Sequence, residues 1–117
     1  MSEFSVRMVV LTTDDLDKSI VFYTQTLGMP LKFRDGDRYA AIDGGSLTLA
    51  LATEIDHPLP GRAVVGIKTD DVDAAAKAIE AGGGRIVRAP YNDAHERRTV
   101  VIDNTGNDLV FYSPLTC

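Results

Sequence analysis

The pattern Thr-Asp-Asp-x-Asp occurs twice in this chain, at residues 13–17 and, fifty-six positions later, at residues 69–73. Each copy follows an apolar run and opens a segment with helical periodicity, which indicates a strand-to-helix junction. Acids suit this position because a helix N-terminus carries unpaired N–H groups and a partial positive charge. Asp14 and Asp17, like their counterparts in the second copy, have the spacing of a capping box. We therefore interpret these acids as helix caps, with a metal site as the alternative.

The first half of the chain has the pattern of one strand, one helix and three further strands. Leu16, Ile20 and Leu27 recur at helical spacing, and Gly28 is well placed to end that helix in the left-handed conformation. Short segments rich in strand-forming residues, separated by Asp-Gly turns, indicate the strands. The predicted elements are strand 6–12, helix 16–27 and strands 31–34, 38–42 and 46–52.

The same order returns after a connector, residues 53–62, that contains two prolines and a glycine. Val72, Ala75 and Ile79 mark the apolar face of a second helix, which the three glycines at 82–84 end. The predicted elements are strand 63–69, a helix beginning near Val72, and strands 85–88, 97–102 and 108–112, with a longer hairpin through residues 90–96.

The two halves match each other in two blocks without gaps. At an offset of fifty-six, Val9 and Gly28 meet Val65 and Gly84 in addition to the repeated acids. At an offset of sixty, Arg38, Ile42, Asp43 and Leu49 meet Arg98, Ile102, Asp103 and Leu109. Both blocks agree with one order of elements, which indicates an internal duplication.

Two βαβββ modules in tandem predict an α+β fold. Each four-stranded sheet must bury one face under its helix, because the side chains of a strand alternate between faces. Side by side, two modules are expected to form a curved, cup-shaped mixed sheet with the helices on the outer face and a concave surface for a ligand. The chain is predicted to be a single domain, residues 1–117, with module one at about 6–52 and module two at about 63–113.

Charge and composition narrow the classes of partner. The net charge of −5 argues against nucleic-acid binding, which needs clustered Lys and Arg, and is compatible with a cationic small molecule. No apolar run approaches membrane-spanning length and the N-terminus has no leader pattern, so we expect a cytoplasmic protein without a membrane partner. The single cysteine, Cys117, is expected to be an exposed thiol outside any internal disulfide.

The duplicated module, the strand-to-helix junctions and the late turn at residues 103–107 together resemble the vicinal oxygen chelate superfamily. That superfamily includes glyoxalase I, extradiol dioxygenases, fosfomycin-resistance proteins and bleomycin-binding proteins. The resemblance covers residues 6–113, and in the late turn Asp103, Gly106 and Asn107 match the family's Asp-Pro-Asp-Gly-Asn pattern. It implies metal-ligand positions in the first and fourth strands of each module, where family enzymes carry His or Gln and Glu.

The metal-ligand positions implied by the resemblance fall on four apolar residues of this chain, Met8, Ala50, Val64 and Val110. None of them can ligate Zn, Fe, Ni, Mn or Mg, which need imidazole, carboxylate or water. We therefore expect no metal and no other cofactor, and a character closest to the metal-free binding members. The electrophilic catalysis that the family's enzymes draw from their metal would then be absent.

Alternation outward from these four positions predicts the side chains of the concave face. They are mostly small or apolar, with polar groups toward the strand ends, as in many ligand cavities; the alternative is that they fill space as core. The predicted pocket residues are Met8, Val10, Thr12, Thr48, Ala50, Ala52, Val64, Gly66, Lys68, Asp108, Val110 and Tyr112. Phe33, Tyr39, Arg97 and Arg98 are predicted contacts at the rim, although the pattern does not fix the face on which each arginine lies.

Both histidines fall in predicted loops, His57 in the connector and His95 in the second-module hairpin, and both are interpreted as solvated. His95 is the one candidate for general acid–base chemistry, because an imidazole titrates near neutrality.

The favoured hypothesis is a metal-free protein that binds a small molecule and sequesters an antibiotic or metabolite. One alternative is an enzyme of the same superfamily that works without metal through His95, Glu96, Arg97 or Tyr112. A metal-dependent enzyme with unusual ligands and a dimeric regulatory or scaffolding protein without ligand are further alternatives. By resemblance to family members of this length, a homodimer is expected.

Overall fold

The chain folds in the predicted order of elements, with βαβββ followed by βαβββ. The computed structural model describes residues 3–115, so the predicted thiol of Cys117 lies outside the described residues. Within this range the contacts divide the chain into two units, residues 7–64 and residues 3–6 together with 65–115. The α+β class and the duplicated module are confirmed.

Module one contains β1 (Ser5–Thr12), α1 (Leu16–Val21), β2 (Leu31–Asp35), β3 (Tyr39–Asp43) and β4 (Thr48–Ala52). Its strands lie in the order β2-β3-β4-β1, with β1 parallel to β4 and the other neighbours antiparallel. Leu16 of α1 packs with Ile42 and Leu51 on one face of this sheet. The helix therefore covers the face that carries the odd-numbered residues of β4, as the alternation predicts.

The first helix is shorter as an α-helix than the predicted range 16–27. After Val21 it continues as a π-helix over Phe22–Thr26, and the N–H of Leu27 donates to the carbonyl of Phe22 at 3.1 Å. Gly28 follows with a φ of 75°, so the predicted left-handed residue at the end of the helix is confirmed. None of the helices within residues 3–115 is both long enough and apolar enough to cross a membrane.

Module two contains β5 (Val64–Lys68), α2 (Val72–Ala81), β6 (Arg85–Asn92), β7 (Glu96–Ile102) and β8 (Asp108–Pro114). Its strand order is β5-β8-β7-β6, with β5 parallel to β8, and Ala75 packs with Val101 and Phe111 under the helix. Strand β6 runs past the predicted end at residue 88 and through Pro90. An edge strand tolerates proline, and register shifts on β6 absorb the irregularity.

The pairing registers test the internal repeat residue by residue. Val9 pairs with Leu49 in module one and Val65 pairs with Leu109 in module two, as the two offsets predict. For the third strands the offset of sixty is wrong by one, because Leu49 pairs with Ile42 whereas Leu109 pairs with Val101. The turn before β8 is one residue longer than the turn before β4, so Ile42 corresponds to Val101 and not to Ile102.

The helix caps also lie one residue later than predicted. Asp15 precedes α1 and its Oδ1 accepts the N–H of Lys18 at 3.0 Å, and Asp71 accepts the N–H of Ala74 at the same distance. Both residues are extended, and the carbonyl of each already accepts the first helical hydrogen bond, as an N-cap requires. The capping box predicted from Asp14 is therefore wrong, while the role of the motif as a helix start is confirmed.

Candidate ligand-binding site

A cavity of about 620 Å³ opens beside the end of β1 in the unit of residues 7–64. Three segments form its wall: the end of β1, the turn after β2 and the connector. This volume lies within the range of small-molecule sites, roughly 300–1,000 Å³. Its lining residues are Thr12, Thr13 and Asp14 from the first segment, Asp37 from the second, and Thr53, Glu54, Ile55, Pro60 and Gly61 from the connector.

The connector is held in place by hydrogen bonds at both of its ends. At the first end, the N–H of Thr53 donates to the carbonyl of Arg38 at 3.0 Å. At the second end, the N–H of Gly61 donates to Oγ1 of Thr12 at 2.8 Å. Gly61 has a φ of 87°, a conformation that residues with a side chain rarely adopt. The cavity wall is therefore a defined loop on the end of β1.

His57 is buried in the middle of this connector, with a relative exposure of 5%, so the interpretation as a solvated residue is wrong. Its Nδ1 accepts the N–H of Leu59 at 2.9 Å, and its Nε2 lies 3.2 Å from the carbonyl oxygen of Val10. A nitrogen that accepts a hydrogen bond carries no proton, so the proton sits on Nε2 and is donated to Val10. No pattern around residue 57 signals this burial, because the contact joins residues far apart in the chain.

Carboxylates give the cavity its charge. Asp14 and Glu54 are exposed, and neither side chain makes a hydrogen bond or ion pair with another residue in the described range 3–115. Asp37, the third acid of the wall, lies 3.2 Å from Nη2 of Arg34. Two of the three carboxylates are thus left to interact with whatever enters the cavity, which favours a positively charged occupant.

In module one the predicted pocket residues lie together on the sheet face opposite the helix. The registers place Met8 beside Thr48, Val10 beside Ala50, and Thr12 beside Ala52. Val10, Ala50 and Ala52 are buried, whereas Met8 and Thr48 are half-buried. Thr12 is exposed and belongs to the wall of the cavity, so it joins the predicted pocket to the observed one.

In module two the corresponding residues also share one face of their sheet. Gly66 pairs with Val110 and Lys68 pairs with Tyr112. Val64, Gly66, Val110 and Tyr112 are buried, and Lys68 and Asp108 are half-buried. A ligand at this face would therefore contact Lys68 and Asp108 first, because these two polar residues are the more exposed ones.

Of the four residues that the resemblance assigns to metal-ligand positions, Met8 is half-buried, and Ala50, Val64 and Val110 are fully buried apolar residues. Across the described part of the chain, no three His, Cys, Asp or Glu residues cluster in a way that could hold a metal ion. The residues at the implied site thus do not fit a divalent metal, because their side chains offer no nitrogen or oxygen donor.

The two arginines predicted at the rim lie on opposite faces of the module-two sheet. Arg98 pairs with Tyr112 and so shares its face, whereas Arg97 pairs with Ser113. Arg97 is directed to the first turn of α2, where its Nε donates to Oδ2 of Asp73 at 2.9 Å. This hydrogen bond and the opposite charge lower the pKa of Asp73 and raise that of Arg97.

Arg98 has a mostly buried side chain, with a relative exposure of 12%. It hydrogen-bonds to the hydroxyl of Tyr91, and its guanidinium lies 3.4 Å from Asp93 and 3.8 Å from Glu96. Burial lowers the pKa of Arg98, but the hydrogen bond to Tyr91 and the nearby carboxylates outweigh it, so the net shift is upward. Arg98 therefore stabilises the β6–β7 hairpin.

The residues proposed for metal-free catalysis do not all lie on one face of the sheet. His95 is exposed in the loop between β6 and β7, and Tyr112 is buried on the face opposite Arg97. A substrate held by Arg97 would therefore be separated from Tyr112 by the sheet. Of the remaining rim residues, Phe33 and Tyr39 form a ring pair with centroids 5.5 Å apart in module one.

Comparison with known proteins agrees with this architecture. The family model of the Glyoxalase/Bleomycin resistance protein/Dioxygenase superfamily matches residues 5–111. An uncharacterized protein of Mycolicibacterium smegmatis is 70% identical over 115 residues, which are 98% of each chain.

Two solved structures share the fold at low sequence identity. A glyoxalase/bleomycin resistance protein/dioxygenase superfamily member from Vibrio splendidus has a TM-score of 0.70 at 16% identity, covering 93% of this chain and 99% of its own. Methylmalonyl-CoA epimerase from Mycobacterium tuberculosis has a TM-score of 0.74 at 19% identity, covering 95% and 88%. With the family model spanning almost the entire chain, the protein belongs to the glyoxalase/bleomycin resistance protein/dioxygenase superfamily.

Proposed function

We propose that this protein binds and sequesters a small organic cation, without a metal, in the cavity beside the end of β1. The observation that carries this proposal is the cavity itself, with a volume of about 620 Å³ and a wall whose connector is hydrogen-bonded at both ends. Membership of the superfamily does not choose between binding and catalysis, since its description covers both enzymes and resistance proteins.

The charge of the ligand follows from the wall. Asp14 and Glu54 line the cavity from the segment after β1 and from the connector, and Ile55 and Pro60 add apolar surface to the same wall. An organic amine satisfies both features, because its ammonium group pairs with a carboxylate and its carbon skeleton covers the apolar part. A net charge of −5 also attracts cations to the protein.

Independence from metal is supported by the side chains at the family's ligand positions. Met8 offers a thioether alone, and Ala50, Val64 and Val110 offer hydrocarbon. These four side chains cannot hold a Lewis acid, so they do not provide the electrophilic step of the metal-dependent enzymes. Binding is the function that these residues can still perform.

A thermal-shift screen of amines, each matched with the alcohol of the same carbon skeleton, tests the proposal. A ligand that binds the folded form raises the melting temperature, and we expect amines to do so more than their alcohols. Asp14→Asn and Glu54→Gln should each weaken amine binding roughly fivefold, the scale of one exposed charge pair. The matched control is Asp70→Asn, which changes the equivalent acid of the second module and should leave binding unchanged.

Three outcomes would overturn the proposal. The first is equal stabilisation by amines and alcohols, and the second is equal loss of binding in the Asp70 control. The third is stoichiometric, tightly held Ni, Zn, Mn or Fe in the purified protein, measured by elemental analysis.

A further inference from the structure

We propose that His57 is the positioning residue of this cavity: its neutral imidazole, protonated at Nε2, ties the connector to β1 and so fixes the cavity wall. The ring joins two segments 47 residues apart in the chain, with Nε2 directed at Val10 and Nδ1 at Leu59. Because His57 is 5% exposed, water does not compete well for these two hydrogen bonds.

The position of His57 within the connector explains its influence on the cavity. Glu54 and Ile55 line the cavity shortly before the histidine, and Pro60 and Gly61 line it shortly after. His57 itself is not a lining residue, so it acts through the loop and not by contact with a ligand. The hydrogen bond to Val10 fixes the middle of the loop and so restricts the lining residues on both sides of His57.

A second attachment shows how the loop is registered on β1. Oγ1 of Thr12 accepts the N–H of Gly61 at 2.8 Å, two residues beyond the carbonyl that His57 contacts. Alternate positions of one strand thus hold the connector at two places. Without the imidazole, the loop would keep the attachments at its two ends but lose the one in its middle, and it would gain freedom between Thr53 and Gly61. A ligand would have to remove this freedom on binding.

The chemistry of the contact explains why histidine occupies this position. One rigid ring must offer an acceptor to a neighbouring N–H and a donor to a distant carbonyl, which the neutral imidazole does. Asparagine can replace Nδ1 toward Leu59 but is too short to reach Val10. Glutamine can place an amide N–H near the position of Nε2, and phenylalanine fills the space without either bond.

The test needs no ligand for its first part. In the ¹⁵N-labelled protein, long-range imidazole correlations should show the Nε2–H tautomer alone for His57. Amide exchange at Gly61 should be slow in the wild type and in His57→Gln, faster in His57→Asn and fastest in His57→Phe. The control is His95→Asn, the other histidine, for which Gly61 exchange should stay at the wild-type rate.

The second part rests on the proposed function and uses the amine that gives the largest thermal shift. We expect His57→Phe to weaken its binding about tenfold, the scale of two hydrogen bonds lost from the preorganised wall, and His57→Gln to recover part of that loss. An Nδ1–H tautomer in the wild type, or Gly61 exchange unchanged in His57→Phe, would overturn the role of His57. If no amine binds the wild type, the proposed function fails, while the tautomer and exchange results still decide this inference.

Discussion

Arg97 of β7 and Asp73 in the first turn of α2 form two parallel hydrogen bonds, with both nitrogen–oxygen distances at 2.9 Å. Module one has a related contact, in which Nη1 of Arg34 lies 2.7 Å from Oδ1 of Asp17. The two acids are equivalent in the internal repeat, but their arginines come from different strands. Each module thus ties the start of its helix to its sheet with an ion pair that the repeat alone does not predict.

Removing the carboxylate of this pair should lower stability in a way that depends on salt. We expect Asp73→Asn to reduce the melting temperature more than Asp70→Asn, which alters a neighbouring acid outside the pair. Both partners are solvent-accessible, so about 1 M NaCl, where charges are screened within roughly 3 Å, should shrink the difference. A difference that persists unchanged in high salt would mean that Asp73 acts through something other than charge.

The shifted caps give a second prediction. Asp15→Ala should cost about 1 kcal/mol in the free energy of unfolding, because the N–H of Lys18 loses its acceptor. Asp71→Ala should cost a similar amount through Ala74. Urea unfolding of these variants beside Asp14→Ala and Asp70→Ala makes the comparison. If Asp14→Ala reduces the free energy of unfolding as much as Asp15→Ala does, the assignment of Asp15 as the cap is wrong.

The hydrogen bonds of Asp103 in the turn between β7 and β8 predict that the stability of the protein depends on pH. Oδ1 of Asp103 accepts the N–H groups of Asn107 and Thr105 at 2.9 and 3.0 Å, and Oδ2 accepts the Asn107 amide. These bonds, led by the Asn107 N–H, hold the pKa of Asp103 far below its ordinary value of 3.8. The stability that the carboxylate contributes is therefore present above about pH 4 and is lost as the pH falls toward the lowered pKa.

We expect Asp103→Asn to lower the melting temperature by a constant amount from pH 8 to pH 5, and by less as the pH falls below 3.8. Asp43→Asn is a matched control in module one, because Oδ1 of Asp43 accepts one turn N–H, that of Gly45, at 2.9 Å. We expect Asp43→Asn to lower the melting temperature less than Asp103→Asn does. A loss for Asp103→Asn that grows on acidification would contradict the assigned direction of the pKa shift.

The fold was predictable because its signals are local and occur twice. Apolar periodicity and the repeated Thr-Asp-Asp pattern place both helices and the strands that precede them. Errors of one residue arise where several adjacent groups can do the same work: Asp14 and Asp15 are both competent caps, and backbone geometry chooses Asp15. The third-strand offset failed for a similar reason, since a one-residue difference in turn length leaves no mark in composition.

The candidate site was less predictable. Alternation predicted Thr12 as a pocket residue, and Thr12 lies in the wall of the cavity. Glu54 and His57 were missed because a connector has no periodicity, so neither its burial nor its attachment to β1 can be inferred from spacing. The contact between His57 and Val10 depends on the tertiary fold alone.

The most direct test of the central claim, metal-free binding of an organic cation beside the end of β1, is an amide-shift titration. The ¹⁵N-labelled protein is titrated with the selected amine in the presence of EDTA, and the amide resonances are followed. The account predicts saturable shifts concentrated at Thr12, Glu54 and Gly61, with little change at Asp70. Shifts confined to module two, or binding that disappears with EDTA and returns with added metal, would contradict it.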